Sequence, residues 1–223
     1  MQGQAGLGWQ PLTGRAWSEG AEAHDGGLVP FDAKYVALAR FALWFESSDR
    51  HTYGHCERVA GYASDVGSAL GLDQAEVAAI RLGAYMHDVG KIRVPQNILN
   101  KPGRLTAAEF DVMKMHPIWG LEMLEGVGLP FDVRASVRSH HEKCDGSGYP
   151  DGLRGDGIPL HAAIIGIADV YDALTSSRSY RPAMPGPAAM AEMHQRRGWW
   201  RSEVYAAFRR AAAGSPQAYA AIA

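Results

Sequence analysis

The stretch Tyr85-Met86-His87-Asp88-Val89-Gly90-Lys91-Ile92 sets an imidazole beside a carboxylate, follows them with a glycine, and places an ammonium group three residues after the carboxylate. A neutral imidazole nitrogen and a carboxylate oxygen suit borderline divalent metals such as manganese, iron or zinc. With two oxygens, Asp88 is also able to bridge two ions. Neighbouring helical residues point about 100° apart, so His87 and Asp88 converge on one centre only near a helix end or around a wide cavity. Gly90 supplies such an end, and Lys91 then stands where its charge meets an anion held by metals.

Further ligand types are scattered along the chain: His55, His116, the pair His140-His141, and Asp169. Their spacing in sequence does not bring them together, so the elements that carry them must. Val59, Ala60, Ala63, Val66 and Leu70 mark the apolar face of a helix from about Tyr53 to Leu70, with His55 in its first turn and Gly71 as its stop. Asp73 with Glu76 predicts a capping box for the helix that leads down to His87. Thr106 with Glu109 predicts a second one, opening a helix that carries Phe110 and Met113 and ends near His116-Pro117, because a residue before proline disfavours helical geometry. Short helices are expected around Trp119–Leu124 and over Phe131–His141. The histidines thus fall near helix termini.

The segment Asp145-Gly146-Ser147-Gly148-Tyr149-Pro150-Asp151-Gly152 is too rich in glycine and proline for regular structure, and Gly146, Gly148 and Pro150 are expected to shape a loop. Beyond it, Ala162–Leu174 is strongly apolar but carries Asp169 and Asp172, three apart on one helical face. Acids on a core helix require partners, since a buried unpaired charge is costly. Pro187–Arg197 and Arg201–Ala213 read as two more helices. Hardly any stretch alternates with period two, so the fold class is all-α.

Of the 223 residues 47% are hydrophobic and 21% charged, enough for a sizeable core. A formal net charge of −2 argues against general attraction to a nucleic acid polymer or an anionic membrane, so an anionic ligand must be drawn in locally. Cys56 and Cys144, the only cysteines, are too few for a disulfide framework and fit a cytoplasmic protein. No apolar run approaches a membrane span, and no basic-then-apolar start marks a secretory signal. Residues 1–32 are glycine-rich and read as a flexible N-terminal arm that Trp9 and Trp17 could pin to a surface; residues 33–213 form the main domain and 214–223 a C-terminal tail.

Five motifs recur together here in a recognisable order: His87-Asp88, Lys91, His140-His141-Glu142, Asp145-Gly-Ser-Gly148-Tyr149-Pro150-Asp-Gly152-Leu153, and Ala168-Asp169-Val-Tyr171-Asp172-Ala173-Leu174-Thr175-Ser176. In order and spacing they closely resemble the HD-GYP family, a branch of the HD-domain metal phosphohydrolases that cleaves cyclic di-GMP. The resemblance is detailed from Asp49 to Pro182 and weaker over Ala33–Phe208. It implies an all-α, HD-domain helical bundle with a metal centre at its helix ends, holding two divalent ions, most often iron or manganese. By residue-for-residue correspondence His55, His87, Asp88 and Asp169 hold one ion. Asp88 bridges to the second, held by His116, His140 and His141.

The same resemblance gives Asp88 and Lys91 catalytic roles, and makes Lys91, Tyr149, Asp172, Arg178 and Arg181 substrate contacts. Asp172 would accept from a guanine N–H pair. It implies hydrolysis of cyclic di-GMP to pGpG, or onward to GMP; the rival expectations are another cyclic dinucleotide or nucleotide as substrate, and a non-catalytic receptor or scaffold. Partners compatible with this reading are a second copy of the chain or a signalling protein. Some relatives hold a third metal through a glutamate at the position of His51, so two ions are expected here. Departures from the family pattern are Ser139 before His140, Ser177 and Ser179 beside Arg178, and Gly198-Trp199-Trp200-Arg201-Ser202, which lacks a phenylalanine-aspartate-proline element.

Overall fold

The computed structural model describes residues 54–129, 131–177 and 182–214. Every described residue lies within one compact unit, Asp32–Ala223. The expected N-terminal arm, His51, Arg178, Arg181 and nearly all of the expected tail lie outside the described residues. Those described are helical, with one isolated bridge between Asp145 and Arg154 and no strand.

In chain order the α-helices are α1 (His55–Leu70), α2 (Gln74–Met86), α3 (Gln96–Leu99), α4 (Ala107–Met113), α5 (His116–Leu124), α6 (Arg134–Ser139), α7 (Leu160–Thr175), α8 (Gly186–Gln195) and α9 (Ser202–Gly214). A 3₁₀ turn, Val89–Arg93, follows α2. Both capping boxes form: Asp73 accepts from the Glu76 amide and Thr106 from the Glu109 amide, and each glutamate reaches back to its cap. Gly71 ends α1 in the left-handed conformation.

The core is organised around α7. Ile164, Ile165, Ile167, Ala168 and Tyr171 are fully enclosed, and α7 lies against α1, α6, α8 and α9. Burial on nearly every side explains why its sequence is almost continuously apolar. A smaller cluster of Leu82, Met86, Leu124, Val133 and Val137 joins α2, α5 and α6. Phe110, by contrast, is 45% exposed on α4, a helix with no buried residue.

Two local expectations need correction. His116-Pro117 opens α5 instead of closing α4, because proline is tolerated in the first turn, where its missing N–H costs no helical bond. Gly90 does not itself end the helix, which closes at Met86. It sits inside the 3₁₀ turn, and a Cβ there would collide with the His116 carbonyl and the Gly120 amide. Its absent side chain lets the turn after Asp88 press directly on α5.

At the C-terminal side, where the family element is missing, Trp200 is buried and stacks on Tyr205 at 5.9 Å with the rings 8° apart. Trp199 lies under the Lys143 ammonium, 3.5 Å from ring centroid to nitrogen, and its carbonyl accepts from the Cys144 amide at 2.9 Å. The departure therefore packs against the strand-like segment that follows the histidine pair.

Candidate metal centre

Each ligand-bearing element delivers its side chain from an end or a close contact. His55 is the first residue of α1, His87 follows the last residue of α2, His116 is the first of α5, and His140 follows α6. Asp169 projects from within α7. His55, His87, Asp88, His116 and His140 are all at least 95% buried, while the Asp169 and His141 side chains keep 13% and 22% of their surface.

The ring nitrogens are oriented by what they donate to. His87 Nδ1 donates to the Ala84 carbonyl at 2.6 Å, His116 Nδ1 to Met113 at 2.8 Å, and His140 Nδ1 to Val137 at 2.8 Å. His55 Nδ1 donates to Asp172 Oδ2 at 2.7 Å. Carbonyl and carboxylate oxygens only accept, so in each ring Nδ1 carries a proton and Nε2 is the nitrogen that presents a lone pair when the ring is neutral. Those lone pairs converge: Nε2 of His55 and His87 are 3.4 Å apart, and Nε2 of His116 and His140 are 3.3 Å apart.

Asp88 stands between the two pairs. Its Oδ2 lies 3.4 Å from His87 Nε2 and 3.8 Å from His55 Nε2, and its Oδ1 lies 3.2 Å from His116 Nε2 and 3.9 Å from His140 Nε2. Two ligand groups result, His55-His87-Asp88 and Asp88-His116-His140-His141, with Asp88 common to both. Asp169 completes the ring, 3.4 Å from His55 Nε2 and 3.9 Å from His141 Nδ1.

The charges of the cluster favour a cation. Burial opposes ionisation of Asp88, yet Lys91 and His87 hold its carboxyl well below the usual carboxylate range, so it is anionic. Asp88 Oδ1 is buried and accepts no hydrogen bond, an arrangement that is costly unless something positive meets it. Burial likewise opposes a charge on His87, but the Asp88 and Asp169 carboxylates outweigh it and push that imidazole up to about 9, so without a metal its Nε2 also holds a proton, which a bound cation would displace. Burial and crowding by other imidazoles hold His140 and His141 well below the usual histidine range, leaving them neutral. Nitrogen and oxygen donors with no thiolate suit divalent iron, manganese or zinc, and the residues present fit a two-ion site.

Lys91 reaches Asp88 Oδ2 from the open side. Tyr149 lies over His141, ring centroids 4.6 Å apart, and meets Phe110 edge-on at 6.1 Å. Burial pushes its phenol far above the usual tyrosine range, with Asp169 and Asp88 adding to it, so the hydroxyl is neutral.

Asp172 is not where sequence reasoning placed it. It is 1% exposed, and its oxygens accept from His55 Nδ1, from Arg58 Nε at 2.6 Å and Nη2 at 3.1 Å, and from Ser176 Oγ at 3.2 Å. Facing inward and fully engaged, it has no oxygen to offer a guanine edge.

Arg58 and Glu142 escaped the sequence reading. Glu142, 6% exposed, accepts from the backbone amides of Asp151 at 2.6 Å, Gly152 at 3.1 Å and Leu153 at 2.9 Å, which anchors the loop that carries Tyr149. Gly148 lets that loop close, since a Cβ there would lie 2.6 Å from the His141 carbonyl. The signal for both was their sequence position: Arg58 lies one helical turn from His55, and Glu142 directly follows the histidine pair.

The HD domain family profile matches residues 44–203. The chain belongs to the HD-domain family, in its HD-GYP branch. It is 46% identical over 163 residues to the cyclic di-GMP phosphodiesterase response regulator RpfG of Xanthomonas campestris, covering 72% of this chain and 43% of that protein. It is 38% identical over 178 residues to 3′3′-cGAMP-specific phosphodiesterase 3 of Vibrio cholerae, covering 78% of this chain and 38% of the relative. In fold it resembles Bd1817, an HD-GYP protein of Bdellovibrio bacteriovorus, with a TM-score of 0.60 at 19% identity over 79% of this chain and 61% of the other. The HD-GYP chain thus spans about two fifths of the length of these two curated relatives.

Proposed function

We propose that this HD-GYP chain is a metal-dependent phosphodiesterase that hydrolyses one 3′–5′ phosphodiester of cyclic di-GMP to give linear pGpG, and onward to GMP if the linear product is retained. The observation that carries the proposal is Asp88, whose two oxygens face separate sets of histidines. His55, His87, Asp88 and Asp169 would hold one divalent ion, and Asp88, His116, His140 and His141 the other, with iron or manganese as the metals. Two such ions supply a water of lowered pKa and Lewis-acid stabilisation of charge on the phosphoryl and leaving oxygens.

The chain's own residues do the rest. Lys91, on the open side of Asp88, turns its ammonium to a non-bridging phosphate oxygen when substrate arrives. Tyr149 offers an aromatic face beside His141, on a loop that Glu142 holds in place. Arg178 and Arg181, outside the described residues, present guanidinium forks suited to phosphate or a guanine edge. Cysteines outside any disulfide and the absence, among the described residues, of a helix able to cross a membrane are compatible with a cytoplasmic enzyme.

The 46% identity to a cyclic di-GMP phosphodiesterase supports the substrate, and the 38% identity to a cGAMP-specific one favours a mixed cyclic dinucleotide as the second reading. A panel of cyclic dinucleotides offered to the metal-loaded chain and to Asp88→Asn separates them. Cyclic di-GMP should be cleaved fastest by the parent and not by the variant. Intact cyclic di-GMP alongside Asp88-dependent cleavage of another nucleotide would reassign the substrate.

A further inference from the structure

Within the His/Asp cluster, three of the four histidines with an Nδ1 partner are oriented locally. His87, His116 and His140 each donate to the carbonyl of the residue three positions before them, at Ala84, Met113 and Val137. His55 differs: it opens its helix directly behind the left-handed Gly54. Its partner comes from another element: Asp172 on α7, 117 residues away in sequence.

The carboxylate is itself fixed. Arg58, one turn after His55 on α1, grips Asp172 through Nε and Nη2, and the same Nη2 donates to Ser176 Oγ at 3.0 Å. Asp172 is 1% exposed and His55 5%, so the contact is shielded from water and the arginine balances the buried charge. Planar two-point geometry is what guanidinium provides and ammonium does not. A carboxylate behind an imidazole also makes the ring a stronger donor than a carbonyl does.

We infer that Asp172, clamped by Arg58, is the positioning residue for His55, and that the pair sets the affinity of one of the two ion sites independently of the other. The inference rests on the two-ion reading above. Where His116 and His140 keep their orientation from the backbone, the His55 site depends on α1 staying docked to α7. Asp172 therefore acts on the metal centre from behind a ligand, not on substrate.

The test is manganese titration of the metal-stripped full chain by calorimetry, with electron paramagnetic resonance to distinguish coupled pairs from isolated ions. The parent should bind two manganese ions as a coupled pair. Asp172→Asn, which preserves shape but not charge, should weaken one ion about 10–100-fold and leave the other unchanged, so that an isolated-ion spectrum appears at intermediate loading. Arg58→Lys should move the same site in the same direction by less. Equal weakening of both ions, or of neither, in the two variants would overturn the inference. A parent chain that binds no manganese pair would instead overturn the two-ion reading and the inference with it, a result visible before any variant is made.

Discussion

In the proposed two-ion centre Asp88 serves both sites, so its substitution should be more damaging than that of any single histidine. Asp88→Asn keeps the shape but loses the bridging charge. Turnover should fall by more than about 100-fold, the scale on which lost electrostatic stabilisation acts, and metal content should fall with it, both read on the same purified sample. Glu142 makes a different prediction. Glu142→Gln swaps a carboxylate that accepts three backbone amides for a group with one oxygen, at a cost of about 2 kcal/mol. Hydrogen exchange at Asp151, Gly152 and Leu153 should accelerate and KM should rise, while the metal content stays at its parent value. Unchanged exchange would remove Glu142 from its anchoring role. At this scale the seven residues of the cluster centred on Asp88 were legible because the motifs match a family in order and spacing. The Arg58–Asp172 clamp was not: it joins residues 114 apart in sequence, and no local pattern distinguishes an acid that faces substrate from one that faces a histidine. The sequence did carry a weaker signal, namely that an acid on an otherwise apolar core helix requires a partner.

Among elements, the turn after α2 and the start of α5 are tied most tightly. Gly90→Ala would drive a methyl group into the His116 carbonyl, and should lower stability by about 1–3 kcal/mol and loosen the ion proposed at His116, measured by melting temperature and metal retention together. A parent-like melting temperature would show that α5 yields more easily than the packing implies. The cap of α4 offers a pH test. Lys101, with the Thr106 amide, holds the Glu109 carboxyl at about 2, against an ordinary 4.5. A carboxyl depressed in the fold stabilises it above its unfolded pKa and ceases to do so as pH falls, so the cap should weaken between about 4.5 and about 2. Carboxyl NMR should place the Glu109 midpoint near about 2; a midpoint near 4.5 would mean that the cap is open in solution. Both capping boxes were readable from a three-residue spacing, since a cap is a local device. The His116-Pro117 boundary was misread because proline both ends one helix and starts the next, and only the packing of α5 on the Val89–Arg93 turn decides between them.

At the scale of the molecule, the all-α class followed from the missing period-two alternation, whereas the meeting of scattered histidines required the fold. α7 supplies the core, brings Asp169 to the centre and backs His55 through Asp172, so core packing and metal geometry share one helix. Of the C-terminal tryptophans, Trp199 packs against the segment after His141 and Trp200 stacks on Tyr205, contacts that pattern matching registers only as a departure. What would unite these parts is the proposed pair of cations around Asp88. The most direct measurement is elemental analysis of the full chain purified anaerobically without chelator. It should return two divalent ions per chain, iron or manganese; one, none or three would contradict the account.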